Sequence, residues 1–460
     1  MPERTPTPKK AGRPRRGRPQ VRPPAGGPPP AIIPRPDHCV SRKHIDREAL
    51  KVLYRLKDHG YIAYLVGGSV RDILLGRQPK DFDVGTNARP EEVRKLFRHS
   101  RIIGRRFRLV HVYFRGGKVI EVSTFRRRAD EDAPSSATVN ADGGAPPPRD
   151  ENLYGTPEED AFRRDLTING LFYNIADFSV IDYVGGMEDL RRGLIRVIGD
   201  PDVRFARDPV RMLRAIRHAA RAGFTVEPAT WAAIGRHREE IRLCAVPRVR
   251  DEWLKDLRSG SAAAWARLML ESGLFTAVFP GYAPALEDDR SGDVRHLLLH
   301  LLAHLDTRIR SGDEPAEPEL VALFAFPAMH HRPEWAALAS ERLRWPTHET
   351  RALLEEVLAP YDFRKATRDA AAQILASQWA IRLCLERGSW PKRVWNKASY
   401  PAALRLFNAV RDAHGEPPVG DAPHRDTAER PPKAAKPRRR RSRRGRRGRK
   451  REAERAEAEP

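Results

Sequence analysis

The sequence predicts an α+β head, a small sheet with helices, followed by an all-α neck and body, with disordered basic tails at both ends. Three observations support this reading. Between residues 61 and 125, short β-branched and aromatic runs alternate with helical segments and glycine turns. From about 201 to 415, nearly every stretch keeps helical spacing. Residues 1–36 and 416–460 are rich in Pro, Gly and Arg without apolar periodicity, a composition that does not fold. The expected division is a tail over 1–40, the head over 41–190, a neck over 191–265, a helical body over 266–415 and a second tail over 416–460.

The 460 residues hold 85 Lys and Arg against 61 Asp and Glu, a net charge of +24. Residues 1–30 contain eight Lys/Arg and one acid, and residues 433–451 contain thirteen Lys/Arg and no acid. These two stretches contribute +20 and leave +4 for everything else, so the basic balance does not describe the folded part. No apolar run approaches the ~20 residues of a membrane span. The positive N-terminus lacks the apolar segment of a secretory signal, and ten prolines in its first thirty residues exclude an amphipathic transit helix. Cys39, Cys244 and Cys384 are too few and too scattered for a disulfide framework or a Cys-based zinc site. The expectation is a cytoplasmic, reducing setting and a monomer.

Structure is expected to begin near Ser41. Residues 46–58 place Leu50, Leu53 and Leu56 at helical spacing, and Gly60 stops the helix. Residues 61–66 read as a buried strand, Gly67-Gly68-Ser69 as a turn, and the following residues as a helix ended by Gly76. Residues 81–84 read as a second short strand, and Pro90 opens a helix with acids in its first turn. The runs 110–114 and 118–125 flank Gly116-Gly117, the signal of a hairpin with a two-residue turn. Residues 127–151 read as a long mobile loop. Helical spacing is expected over 158–174, then a strand–turn–strand piece within 183–197, then helices. His300 and His304 share a helix face but have no Cys or carboxylate in their stretch, so they read as polar helix positions; His330 and His331 read as surface.

The chemistry begins at Asp81-Phe82-Asp83-Val84. In a strand, residues i and i+2 point the same way, so both carboxylates share one face and Phe82 and Val84 the other. The next strand splits likewise, with Glu121 beside Val119, Ser123 and Phe125, opposite Ile120, Val122 and Thr124. Carboxylates converging on one face repel unless a cation sits among them, and hard oxygens with open positions suit Mg²⁺ completed by substrate phosphates. Alone, such a pair is commonly a solvated strand end. Here Gly67-Gly68-Ser69 lies fourteen residues earlier, at a strand-to-helix junction where backbone can approach a phosphate. A phosphate cradle beside metal carboxylates is the more specific reading.

These residues resemble a known family. LVGGSVRDILLGRQPKDFDVGTNA (65–88) is similar to the head signature of class II nucleotidyltransferases of the polymerase β-like superfamily, which comprises bacterial poly(A) polymerases and CCA-adding tRNA nucleotidyltransferases. EEDAFRRDLTING (158–170), YVGGMEDLRRGLIRVIG (183–199) and DPVRMLRAIRHAARAGF (208–224) follow in the family's order. The resemblance implies catalytic roles for Asp81, Asp83 and Asp165, with Asp81 and Asp83 as metal ligands and Mg²⁺, or Mn²⁺ in its place, as cofactor. It implies nucleotide contacts from Gly67, Gly68, Ser69, Arg71, Arg164, Asn169, Asp208, Arg211 and Arg214. Glu121 competes with Asp165 for the place of third carboxylate on the strand-face reasoning above. If 158–174 is one helix, Asp165 and Asn169 fall on one face as i and i+4.

Asp208-Pro209 also has a purely structural reading, an N-cap followed by proline at the first helical position. Arg207, Arg211, Arg214 and His218 then form a stripe, with Leu213, Ile216 and Ala220 as the buried face. In the family this aspartate and the arginine three later hydrogen-bond the incoming base. Adenine and cytosine present an amino donor beside a ring-nitrogen acceptor, which a carboxylate and a guanidinium match; guanine and uracil present the reverse. An acid normally precedes the aspartate in the family; here it is Arg207.

The base-reading pair does not separate the family's two branches. GRRFRLVHVYF (104–114), the ending YPAALRLFNAVRDA (400–413) and the Arg-rich tail resemble the poly(A) polymerase branch. The resemblance thus implies template-independent addition of AMP from ATP to RNA 3′ ends, a polyadenylation that promotes RNA decay, with single-stranded RNA of little sequence preference and RNA-decay proteins as partners. CCA addition to tRNA is the alternative. An inactive head serving as an RNA-binding module is a second alternative, disfavoured because Asp81, Asp83 and the Gly67-Gly68-Ser69 turn are all present.

Overall fold

The computed structural model describes residues 29–104, 108–127 and 154–420. The two basic runs, most of the 127–151 loop, and residues 105–107 of the strand segment likened to the polymerase branch lie outside these residues.

The head is built on one eight-stranded sheet. Its strands are β1 (Ala31–Ile33), β2 (Ala63–Val66), β3 (Asp83–Thr86), β4 (Ser100–Ile103), β5 (Leu109–Tyr113), β6 (Val119–Thr124), β7 (Leu171–Asn174) and β8 (Val180–Asp182). Their order is β1-β8-β7-β2-β3-β6-β5-β4, and the β3–β6 pair is parallel while the other pairs are antiparallel. Helix α1 (Arg47–Asp58) starts where the Asp46 carboxylate accepts from the amides of Glu48 and Ala49. It buries Ala49, Val52, Leu53 and Leu56 in a core shared with Leu65, Val84 and Val122 of the sheet. Helices α2 (Gly68–Leu74) and α3 (Pro90–Leu96) follow β2 and β3. On the opposite face Val66, Phe125 and Phe172 pack with Ala161 of α4 (Pro157–Arg163), a helix opened by the Thr156–Glu159 capping box.

Beyond β8 the chain is almost wholly helical: α5 (Gly186–Arg192), α6 (Pro201–Arg207), α7 (Val210–Ala222), α8 (Pro228–His237), α9 (Val246–Leu257), and a body of further helices ending with 400–413. One continuous core runs from Ile168 and Val197 through α7 and α9 to Leu404, with Trp253 stacked on Phe324 at 5.2 Å. Among the described residues no helix is long and apolar enough to cross a membrane.

Five expectations need correcting. Ala31–Ile33, inside the stretch expected to be disordered, forms an edge strand against β8; prolines flank it without interrupting it, as an edge position allows. Residues 158–174 are not one helix: α4 stops at Arg163, a 3₁₀ turn covers Thr167–Asn169, and β7 begins at Leu171. Leu171, Phe172 and Tyr173 are buried on both sheet faces, and such a run cannot be told from a buried helix by periodicity. The piece at 183–197 contains α5, whose first amides, like those of Val184 and Gly185 before it, are gathered by the Asp182 carboxylate at 2.9–3.1 Å. The hairpin turn has three residues, Arg115–Gly117, closed by Phe114 N–H donating to the Lys118 carbonyl at 2.8 Å. Asp208 does not cap a helix with its side chain; Arg207 ends α6, Asp208 sits at the break, and α7 starts at Val210.

Candidate active site

Strand register builds the first wall of the site. Val66, Asp83 and Glu121 stand opposite one another across β2, β3 and β6, so Asp83 and Glu121 share a face. His111 of β5 lies opposite Glu121, with its ring 3.7 Å from the carboxylate. Asp81 precedes β3 rather than belonging to it, but the alternation holds: Asp81 and Asp83 are open to solvent and Phe82 and Val84 are buried. Crowding by surrounding protein, then the Glu121 charge, push the Asp83 carboxyl up to about 6; Arg164 opposes this and Asp81 adds to it.

The Gly67-Gly68 turn stands at the end of β2. Gly67 has φ 71° and ψ −134°, and a Cβ there would lie 2.9 Å from Arg164 Nη1. Only glycine leaves that space open. Ser69 is buried behind the turn, its hydroxyl donating to the Val66 carbonyl at 3.1 Å. Arg164 lies 5.2 Å over the Phe172 ring and donates to Asp160 at 3.1 Å.

The second wall is α7 with the turn before β7. Arg214 Nε donates to Asp165 Oδ2 at 2.6 Å, and Asn169 donates to Oδ1 at 3.2 Å. Asp165 and Asn169 do meet, through the bent 164–169 segment and not through a helix face. Burial works to raise the Asp165 pKa, but the Arg214 charge and hydrogen bond, with the Asn169 amide, outweigh it and hold the carboxyl well below the carboxylate range. Arg71 reaches across from α2, donating to Asn169 Oδ1 at 2.6 Å and standing 3.3 Å from His218 Nδ1. Burial first, and then Arg71, hold His218 well below its ordinary pKa, so it sits here as a neutral ring. Asp208 faces Arg211 at 3.5 Å and is clamped by Arg248 of α9 at 2.8 Å. Deeper, Arg217 pairs with Glu252 at 2.6 Å and with Asp256, tying α7 to α9.

Gly67, Gly68, Arg71, Asp83, Arg164, Asp165, Asn169, Asp208, Arg211 and Arg214 thus line one cleft of about 570 Å³. Asp81 and Glu121 share the sheet face of Asp83 without lining that cleft, and Ser69 lies behind it. Arg248 and Asp160 escaped the sequence reading. Asp160 carried a local signal, being i−4 to Arg164. Arg248 carried none, because it is 40 residues from its partner. Of the histidines set aside above, His300 pairs with Asp412 at 2.8 Å.

This geometry can be set beside known proteins. Residues 63–196 match a family model described as the poly A polymerase head domain, and residues 223–286 match one described as "Probable RNA and SrmB- binding site of polymerase A". Poly(A) polymerase I of Salmonella typhi is 40% identical over 382 residues, covering 82% of this chain and 80% of that protein. The chain belongs to the poly(A) polymerase I family. It is a polynucleotide adenylyltransferase, and its family relationship supports template-independent addition of AMP. The CCA-adding enzyme of Lactobacillus helveticus is 39% identical over 211 residues, 45% of this chain and 49% of that protein. The structure of the Bacillus stearothermophilus CCA-adding enzyme in complex with CTP matches with a TM-score of 0.59 at 29% identity, covering 81% of this chain and 79% of that one. The chain shares its head-and-helical-body plan with the B. stearothermophilus enzyme, whereas the sequence likeness to the L. helveticus enzyme covers about half the chain.

Proposed function

We propose that the chain adds AMP from ATP to the 3′ ends of single-stranded RNA, with Asp81 and Asp83 holding a divalent cation and Asp208 and Arg211 choosing the base. The observation that carries this is the meeting, in one cleft, of Asp83 from the acidic sheet face, the Gly67-Gly68 turn and the arginine-lined helix.

The residues fit Mg²⁺, and Mn²⁺ in its place. Asp83 and Glu121 stand opposite one another on adjacent strands, hard oxygen donors of the kind Mg²⁺ takes, and burial, then the Glu121 charge, push Asp83 up to about 6. Among the described residues no three His, Cys, Asp or Glu are grouped to hold an ion by themselves, so Asp81 and Asp83 would hold it together with substrate phosphates and water. When bound, such an ion lowers the pKa of the attacking hydroxyl and stabilises charge on the leaving group. We assign the third carboxylate to Glu121, because its charge acts on Asp83, whereas the charge of Asp165 is taken up by Arg214.

The protein's own groups do the rest. The 3′-hydroxyl oxygen bonds to the α-phosphorus of ATP, losing its proton to solvent, as the bond to the pyrophosphate oxygen breaks. The Gly67-Gly68 backbone and Arg164 receive the phosphates. Asp165 orients Arg214 toward the nucleotide, and Arg71, Asn169 and neutral His218 brace that segment. Asp208, held by Arg248, accepts from the amino group of the base, and Arg211 donates to its ring nitrogen. The Arg-rich run at 433–451 adds sequence-independent phosphate affinity; deleting 433–460 lowers RNA affinity and flattens its salt dependence without changing nucleotide choice. The proposal extends to a cytoplasmic role in RNA decay, with RNA-decay proteins as partners.

The test is purified protein with an unstructured RNA primer and each NTP separately. Long A tails with ATP alone are expected. Addition of one to three nucleotides to tRNA only, with CTP first, overturns the proposal in favour of CCA addition.

A further inference from the structure

The open face of the sheet runs on past the carboxylates to a basic edge. Val66, Asp83, Glu121, His111 and Arg101 stand in one row across β2, β3, β6, β5 and β4, so their side chains share a face. Charge along this row passes from two carboxylates to an imidazole and then a guanidinium. Two residues further along β5, Tyr113 stands opposite Val119 on the same face, and each is 41% exposed. The Tyr113 ring meets His111 nearly at right angles, with centroids 6.2 Å apart.

Tyr113 leads into a hollow of about 660 Å³ at the strand ends, between α1, the end of α3 and the hairpin turn. Arg55, Arg98 and Arg115 line it together with His99 and aromatic rings, and no carboxylate among the described residues does. Arg98 and Arg115 are exposed and have neither an ion pair nor a side-chain hydrogen bond among the described residues. Arg55 rests on the Phe97 ring at 5.4 Å, also without an ion pair there. Other exposed arginines of this chain are matched, as Arg191 is by Glu188, Arg236 by Asp202 and Arg382 by Glu386. Three guanidiniums gathered without an anion repel one another and suit phosphate oxygens.

We propose that this hollow and Tyr113 hold the RNA strand just upstream of its growing 3′ end. The proposal rests on the RNA-substrate reading above. It places the contact on the head, outside residues 223–286, whose matching family model is described as an RNA-binding site. The direction of the reaction leads the strand there. In the proposed scheme the triphosphate lies at the Gly67-Gly68 turn, on the β2 side of Asp83. An in-line displacement puts the attacking hydroxyl opposite the leaving pyrophosphate, hence on the Glu121 side. From there the strand runs over β6 and β5, and β5 is two strands from Asp83, about 10 Å at ordinary strand spacing. A base stacks on Tyr113, and Arg98 and Arg115 donate to phosphates beyond it. Neither contact reads a base edge, so the grip serves any RNA end and the A tail alike.

The test uses the full chain and an oligo(A) of about 12 nucleotides, within the site sizes of single-strand binders. Binding is measured without ATP, and nucleotide addition separately, to that primer and to a dinucleotide too short to reach the hollow. The double variant Arg98→Ala/Arg115→Ala is compared with a control of equal charge loss elsewhere, Arg290→Ala/Arg342→Ala. The first binds oligo(A) about 10-fold more weakly, two charge-assisted contacts being lost. Its slope of log affinity against log salt falls by about 1.4, roughly 0.7 for each phosphate released. The control binds as the wild type does. Tyr113→Ala weakens binding about 5-fold or more, the contribution of one stacked base, and Tyr113→Phe restores it. In the arginine variant addition to the long primer falls more than addition to the dinucleotide. Unchanged oligo(A) affinity in the arginine variant, or an equal loss in the control, overturns the proposal. Should Tyr113→Ala fail to fold, the arginine variant, altered only at the surface, still decides. A wild type that adds A while the arginine variant binds and extends RNA as well sinks only the hollow. A wild type that adds no A, with RNA binding weakened as expected in the arginine variant, sinks only the polymerase reading.

Discussion

The two walls of the cleft handle charge in opposite ways. On the sheet, Asp81, Asp83 and Glu121 share one face, of which Asp83 lines the cleft, and burial first, then the Glu121 charge, push the Asp83 carboxyl up to about 6. On the helical wall each carboxylate has its cation: Asp165 has Arg214, Asp208 has Arg248, and Glu252 has Arg217. Asp165 is accordingly held well below the carboxylate range. The difference separates two tasks. The ion pairs of the helical wall are in place without substrate, so in the proposed scheme its arginines need little rearrangement to read a base. In the same scheme a cation completes the sheet wall, and its chemistry waits for one.

The largest expected effect breaks the sheet wall. Asp81→Ala or Asp83→Ala abolishes nucleotide addition, by about 10³-fold or more, since several kcal/mol of charge stabilisation are lost. Circular dichroism and thermal unfolding stay those of a folded protein. Near-normal addition by either variant in Mg²⁺ would falsify the assignment.

The next effect is on the helical wall. Arg211→Ala lowers selectivity for ATP over UTP and GTP by about 1–3 kcal/mol, the discrimination of a good bidentate base contact. Competition between labelled nucleotides measures it, and an unchanged ratio removes Arg211 from base choice. Arg248→Ala has a smaller consequence, because it touches Asp208 and not the base in this scheme. The KM for ATP rises several-fold while the nucleotide preference stays close to that of the wild type. Loss of selectivity as large as that of Arg211→Ala makes Arg248 a reader in its own right.

The smallest effect is thermal and pH-dependent. The Asp83 carboxyl binds its proton more tightly in the folded chain, at about 6, than at its ordinary value of 3.8. Its contribution to metal-free stability is therefore full below about 3.8 and lost as pH rises through about 6. Asp83→Asn mimics the protonated form, so without metal it melts higher than the wild type above pH 6. Mg²⁺ raises the wild-type melting temperature more above pH 6 than below it. Equal Mg²⁺ stabilisation at pH 5 and pH 7.5 contradicts the shift.

The legibility of the two walls differed for physical reasons. Strand parity is a local rule, so Asp81 and Asp83 could be placed on one face from their spacing alone and Glu121 on one side of its own strand; that these sides coincide is set by the β3–β6 register. The Gly67-Gly68 turn was legible because glycine readily takes the positive φ that Gly67 adopts there and weakens helix and strand interiors. The pairing of Asp165 with Asn169 was reached through a helix that does not exist; the 164–169 bend supplies the same contact. Leu171–Asn174, a buried central strand, has no alternation to betray it. The edge strand Ala31–Ile33 hides in proline-rich sequence because only three residues define it. Arg248 was illegible because its link to Asp208 is made by the packing of α7 against α9 and by nothing in the chain between them.

The division of labour is tested most directly by equilibrium binding of non-hydrolysable ATP and UTP analogues, with and without Mg²⁺, to the wild type, Asp83→Asn and Arg211→Ala. Asp83→Asn should lose the Mg²⁺ dependence of binding and keep the preference for ATP. Arg211→Ala should lose the preference and keep the Mg²⁺ dependence. If either substitution removes both properties together, the two walls do not act separately, and the account is wrong.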